Sequence, residues 1–275
     1  MREMSVKDIQ NVSLDILRDI HQFCVDHDIK YTLQGGTLLG AVRHQGFIPW
    51  DDDIDIAMPR PDYERFIHTY QSSKGYKVFS RELPQHKDNV YIAYARVCDM
   101  ESTWVDDSYY PWTDVTKGVW IDLFPLDGDF ESEEMAKARL KIMIKLYDHT
   151  LRIRTSKKHF YEINGLKNKM KLFFKKLYSC FVSYDLLDKT IALCKELDYN
   201  TSSHYCNLSF LRYGIRERHR KEVLEKTIIV PFGEDKFSIM AGYDEALKEK
   251  YGDYMVLPPL HKQVRAHDCY HYYWK

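Results

Sequence analysis

Two hydrophobic periods run along the chain, and each predicts its own kind of element. Between residues 5 and 28, Ile9, Val12, Ile16, Leu17, Ile20, Phe23 and Cys24 recur every three to four positions, the spacing of one face of an amphipathic helix. Asp53-Ile54-Asp55-Ile56-Ala57 switches to a period of two and reads as a strand. Residues 90–98 and 117–124 read as further strands. In the second of these, Val119, Ile121 and Leu123 alternate with Trp120, Asp122 and Phe124. Arg60–Tyr70 reads as a helix opened by Pro61. Helical periods return over 131–149, 164–181, 184–198 and 216–226. TIIVPF and KFSIM, joined by Gly233-Glu234-Asp235, read as a hairpin; a helix ending near Tyr251 with Gly252 as its cap follows, then an aromatic, polar tail. A mixed first part and a helical middle give an α+β class. Residues 1–275 are expected to form one domain, with 130–226 as a helical subdomain inside it.

Composition narrows the setting. With 275 residues, 44% of them hydrophobic and 29% charged, the chain can bury a core without staples. The net charge of −1 by itself says nothing about partners; no nucleic-acid partner is expected. The six cysteines are scattered, without CxxC or Cys/His zinc spacing, and read as reduced structural residues. MREMSVKDIQ has no apolar signal region, and no apolar run approaches the length of a membrane span. The expected place is the cytoplasm or its membrane surface.

Four carboxylates in five positions, Asp51, Asp52, Asp53 and Asp55, change the picture. Like charges about 4 Å apart repel by about 1 kcal/mol in water and several times that near a protein interior. A half-buried strand tolerates them if a cation sits between. Alternation puts Asp53 and Asp55 on one face, with Ile54 and Ile56 anchoring the other, a spacing suited to a hard divalent ion such as Mg²⁺. Gly35-Gly36 lets a phosphate approach the backbone, and Thr37 is positioned to cap a short helix, TLLGAVRH. Arg43 and His44 could hold phosphate charge. Asp122 is a lone carboxylate in an apolar strand and needs a metal or a cation partner. Asp122→Asn is expected to cause severe loss of activity with equal or higher stability, by relieving repulsion. Arg96 in YIAYARVCD either binds phosphate or pairs with Asp99 or Glu101. Singly, each piece also reads as a turn, a solvated loop or a surface ion pair. Jointly they suit metal-assisted phosphoryl transfer.

The stretch from Gln34 to Met58 resembles the signature of the LicD family. GVWIDLFPLD, 118–127, is similar to its second block, and YGDYMVLPP, 251–259, to its C-terminal one. The resemblance implies a nucleotidyltransferase-type mixed sheet with flanking helices. It also implies transfer of a phospho-alcohol, classically phosphocholine from CDP-choline, onto a glycan hydroxyl; the related fukutin proteins use CDP-ribitol. By position it makes Asp53, Asp55 and Asp122 the catalytic and metal-binding acids, with Mg²⁺ or Mn²⁺. The substrate-binding set is then Gln34, Gly35, Gly36, Thr37, Arg43, His44 and Arg96. The partners so implied are a CDP-alcohol and a lipid-linked glycan or teichoic acid precursor. Two alternatives stay open: a true nucleotidyltransferase that releases pyrophosphate, and a non-catalytic nucleotide- or glycan-binding protein.

Two further patterns bear on partners. Trp104, Tyr109, Tyr110, Trp112 and Trp120 crowd the chain before Asp122, either as core or as a box for a quaternary ammonium; Arg265 and His267 could face substrate. Residues 137–176 carry thirteen Lys and Arg against Asp148 and Glu162 alone. Within them, Leu166, Met170, Phe173, Phe174, Leu177, Tyr178 and Phe181 fall on one helical arc and the lysines mostly on the other. Such a helix either packs its arc on the domain or lies on an anionic membrane surface.

Overall fold

The computed structural model describes residues 1–107, 112–113, 117–154, 165–179, 185–265 and 270–275. Tyr109, Tyr110, His267 and Phe181 lie outside the described residues. In chain order the elements are β1 (Arg2–Glu3), α1 (Val6–Asp26), β2 (Thr32–Leu33), α2 (Gly35–His44), β3 (Asp55–Pro59), α3 (Arg60–Thr69) and β4 (Tyr76–Phe79). Then come β5 (Ala95–Asp99), β6 (Thr103–Asp106), β7 (Trp120–Asp129), α4 (Glu133–Arg154), α5 (Leu166–Ser179), α6 (Asp185–Cys194) and β8 (His204–Cys206). The chain finishes with β9 (Arg218–Arg220), α7 (Glu222–Glu225), β10 (Thr227–Phe232), β11 (Asp235–Met240), α8 (Tyr243–Tyr251) and β12 (His271–Trp274). Mixed α and β content built on a mixed sheet makes this an α+β fold.

The central sheet has the order β2-β3-β7-β5-β4, with β8 on the far half of β7 and β9 on β8. Only β3 and β7 pair in parallel within it; the other pairs are antiparallel. A second sheet, β1-β12-β6, and the β10–β11 hairpin complete the β structure of the described residues. The first helix forms as its period predicts. Ser5 and Asp8 make a reciprocal capping box, and Ile9, Val12, Ile16, Leu17, Ile20 and Cys24 are buried on the face turned to the sheet. A second, smaller core of Leu140, Met143, Cys194, Cys206, Leu208 and Leu211 joins α4 and α6 to β8 and the turn after it.

Two expectations need correcting. The strand expected at 117–124 runs on through Pro125 to Asp129. Pro125 is tolerated because it falls between the β5 pairing, which ends at Leu123, and the β8 pairing, which begins at Asp127. The helix expected over 216–226 is instead a 3₁₀ turn (Gly214–Glu217), β9 and the short α7. Pairing of Arg218–Arg220 with β8 overrides the local helical period. The far half of β7 is locked by buried ion pairs. Arg60 grips Asp127 through both nitrogens at 2.6 and 2.9 Å, and Arg139 reaches Asp129 at 2.7 Å. These pairs tie α3 and α4 to the sheet and leave the near half of β7 for the cavity described next.

Candidate active site

The acidic run folds as its period of two demands. Asp51, Asp53 and Asp55 line a cavity of about 610 Å³, while Ile54 and Ile56 are fully buried behind them. Asp52, only 2% exposed, is not among the lining residues and is paired with Arg265, which does not line the cavity either. Asp53 itself precedes the strand, which begins at Asp55. Among the described residues, Asp51, Asp52 and Asp53 each bring a carboxylate oxygen to within 4.8 Å of the others.

Sheet register brings in the distant acid. Asp55 on β3 lies opposite Asp122 on parallel β7, and Arg96 on β5 lies opposite Asp122 from the other side. All three line the cavity. Arg96 therefore pairs with Asp122, through Nε at 2.5 Å and Nη2 at 3.2 Å, and not with Asp99 or Glu101. Asp99 instead accepts from Ser102 and Thr103 and from the Glu101 backbone, closing its own turn. The Arg96 guanidinium lies over the Trp112 and Trp120 rings, 4.7 and 4.4 Å from their centroids. Those two faces are thus taken by an arginine, which removes them from a box for a ligand's ammonium. Trp104 packs on Tyr273, away from the cavity lining.

The glycine pair serves the acids. Gly35 opens α2 at a φ of +59°, and a Cβ there would stand 2.9 Å from Asp55 Oδ2. A Cβ on Gly36 would stand 2.5 Å from Asp51 Oδ2. The two carboxylates can crowd the first turn of α2, where unpaired N–H groups and the helix dipole favour negative charge. Thr37 does not cap this helix. Gln34 is the N-cap residue, and Thr37 Oγ1 accepts the Asp55 backbone N–H at 2.9 Å, pinning the strand to the helix. Arg43 lines the cavity and donates to the Tyr254 carbonyl at 2.7 Å, so it is already engaged with the C-terminal segment. His44 is not among the lining residues; it stacks edge-on to Trp50.

Sequence reasoning missed a second group on the cavity wall. Lys250 at the end of α8 bonds Glu217 at 2.5 Å, and Glu217 also accepts from the Gln34 side chain at 3.0 Å. The Lys250 ammonium sits 4.3 Å from the Tyr213 ring centroid. Arg212, Asn207, Phe210 and Lys262 line the same space. These residues come from segments remote in sequence from the acids, and no local motif marks them.

Electrostatics follow from this crowding. Burial, then the charges of Asp53, Asp122 and Asp51, push the Asp55 carboxyl well above its ordinary range, with Lys250 acting in the opposite sense. A hard cation among these oxygens would relieve the repulsion, and an all-carboxylate donor set is what Mg²⁺ or Mn²⁺ takes. The residues present would fit such an ion: Asp51 and Asp53 bring carboxylate oxygens within 4.8 Å of each other, and Asp55 and Asp122 line the same cavity.

Comparison with known proteins locates this arrangement in a family. The nucleotidyltransferase domain described as LicD/FKTN/FKRP matches residues 28–141, which carry Asp51, Asp53, Asp55 and Asp122. The chain is 30% identical over 277 residues to the lipopolysaccharide cholinephosphotransferase LicD of Haemophilus influenzae, covering 97% of each protein. The chain belongs to the LicD family. Human ribitol 5-phosphate transferase FKRP is 32% identical over 98 residues, which is 34% of this chain and 20% of that protein. Both relatives are named as phosphotransferases, so the chain is a member of a phosphotransferase family in which the LicD likeness extends end to end.

Proposed function

We propose that this LicD-family protein catalyses metal-dependent transfer of a phospho-alcohol, phosphocholine from CDP-choline, onto a sugar hydroxyl of a cell-surface glycan such as a lipopolysaccharide or teichoic acid precursor, releasing CMP. One observation carries the reading: Asp55 and Asp122 are register neighbours on parallel strands and open, with Asp51 and Asp53, into one cavity walled by Arg43, Arg212, Lys250 and Lys262. Carboxylates alone would repel a diphosphate; carboxylates that hold a cation, with Arg212 and Lys262 on the same wall, would receive one.

When bound, a divalent cation would neutralise charge on the transferring phosphate. The chain's own residues do the rest. Arg212 and Lys262 on the wall would meet the diphosphate, and Trp50, Phe124, Phe210 and Tyr270 line the same cavity with rings that suit a quaternary ammonium. The acceptor oxygen forms its bond to the distal phosphorus as the bond to CMP breaks. The hydroxyl proton has carboxylate oxygens of the cavity to go to. Arg96 fixes the Asp122 carboxylate in orientation through two hydrogen bonds. A lipid-linked acceptor would place the reaction at the inner face of a membrane. No helix among the described residues is long and apolar enough to cross one, so such a placement would be peripheral.

The test is CMP release with CDP-choline and with CDP-ribitol, each with a glycan acceptor, with and without a chelator. We expect turnover with CDP-choline that the chelator abolishes and added Mg²⁺ or Mn²⁺ restores. Pyrophosphate release from CTP in place of CMP release would mark a nucleotidyltransferase. Tight binding without turnover would mark a binding protein.

A second expectation concerns the glycine pair. Ala at position 36 favours helix by up to about 1 kcal/mol, yet its Cβ would drive Asp51 aside. Gly36→Ala should hold or raise the melting temperature while lowering turnover by roughly 10- to 100-fold. Paired melting and rate measurements decide it; unchanged turnover would mean that the position of Asp51 is immaterial.

A further inference from the structure

The apolar arc of α5 looks in sequence much like that of α1, and the structure treats the two in opposite ways. The α1 arc is buried against the sheet. On α5, Leu166 is 77% exposed, Met170 52%, Phe173 55%, Phe174 58% and Leu177 48%. These five recur at helical spacing and form one face. A soluble surface rarely leaves a contiguous row of that size, with two phenylalanines in it, without a partner. The charge beside the row is all of one sign. Lys167 and Lys171 are exposed and Lys169 is half-buried; Lys175 and Lys176 follow in sequence, and no acid occurs from 163 to 184. Neighbouring α4, against which α5 packs, repeats the combination with Ile142 and Ile144 exposed beside Lys141 and Lys145.

We propose that α5 is a membrane-docking helix, which lays its apolar face into an anionic bilayer surface with its lysines on the headgroups. An apolar groove on a partner protein would account for the row alone. An anionic lipid surface accounts for the row and for the basic charge flanking it. The proposal gives a surface to the membrane-side placement of the proposed function and rests on that reading only for its purpose, since the contact is measured without the reaction.

Sedimentation of the full chain with vesicles tests it. Vesicles of phosphatidylcholine with phosphatidylglycerol should carry the protein down, and vesicles of phosphatidylcholine alone should carry down far less. Replacing Lys167, Lys169 and Lys171 by Gln should weaken binding on the order of 100-fold. Phe173→Ser with Phe174→Ser should weaken it comparably, since both rings are exposed and their loss leaves the core intact. CMP release with a soluble acceptor should be unchanged in both variants. Absence of binding to anionic vesicles, or binding that persists unchanged in the lysine variant, would overturn the proposal. So would a wild-type dimer that the Phe variant splits while vesicle binding stays the same, because the face would then be a contact between copies. Vesicle binding without transfer would fail the functional reading alone; transfer without vesicle binding would fail the docking helix alone.

Discussion

Asp55→Asn should reduce transfer by at least about three orders of magnitude while leaving the fold as stable as before or more so. The loss follows from position: Asp55 stands beside Asp122 across the parallel pair and against Gly35 at the start of α2. The gain in stability follows from charge. Burial and three neighbouring acids raise the Asp55 carboxyl in the folded protein above its ordinary value of 3.8. The folded state therefore holds that proton more tightly than the unfolded chain. As pH rises past the ordinary value, the unfolded chain releases this proton first, so deprotonation costs the folded state stability, and the cost grows until the raised value is passed. Asparagine removes it and keeps the shape. Without added metal, the variant should melt at or above the wild type at pH 7, with the advantage vanishing below the ordinary carboxylate range. Added Mg²⁺ or Mn²⁺ should raise the wild-type melting temperature and move the variant less. A variant that melts lower and turns over normally would make Asp55 a structural residue.

Asp122→Asn should behave differently, although Asp122 is the strand neighbour of Asp55. Its carboxylate is the partner of a buried guanidinium, with side-chain exposures of 14% for Asp122 and 7% for Arg96. Removing one member of a buried pair leaves the other charge uncompensated, at a cost of about 3–5 kcal/mol. For a chain of this size that lowers the melting temperature by roughly 10 °C. This sign is opposite to the one expected from repulsion among the acids alone, because loss of the buried Arg96 pair outweighs the repulsion relieved. Turnover should fall severely as well. The double variant Arg96→Met, Asp122→Asn should recover much of the stability, since methionine can pack against Trp112 and Trp120 without a charge to satisfy, and should stay inactive. A single Asp122→Asn variant with wild-type melting would show that Arg96 does not depend on it.

The two signs differ for a reason that also explains which parts of the site were legible in the sequence. Alternation within residues 51–56 is local, so it correctly sent Asp53 and Asp55 one way and Ile54 and Ile56 the other. The neighbours of a strand are not local. That Asp122 meets Asp55 on one side and Arg96 on the other depends on the β3–β7 and β5–β7 registers, which no window of sequence contains. Thr37 shows the same limit. Its place near a helix start reads as a cap, yet its hydroxyl serves a strand eighteen positions on. Gly35-Gly36 was legible as a site of close approach; the groups that approach are carboxylates of the same chain. The Lys250–Glu217–Gln34 chain of contacts joins three remote segments and left no local trace. The arc of α5 was legible as an arc, but whether such a face is covered is decided by what packs on it.

The central claim is that this cavity moves a phospho-alcohol, and the mass of the acceptor after reaction with CDP-choline and Mg²⁺ tests it most directly. The account predicts an acceptor heavier by one phosphocholine, with CMP formed in equal amount and neither product appearing with Asp55→Asn. An acceptor carrying a cytidylyl group, or CMP formed with the acceptor mass unchanged, would contradict it.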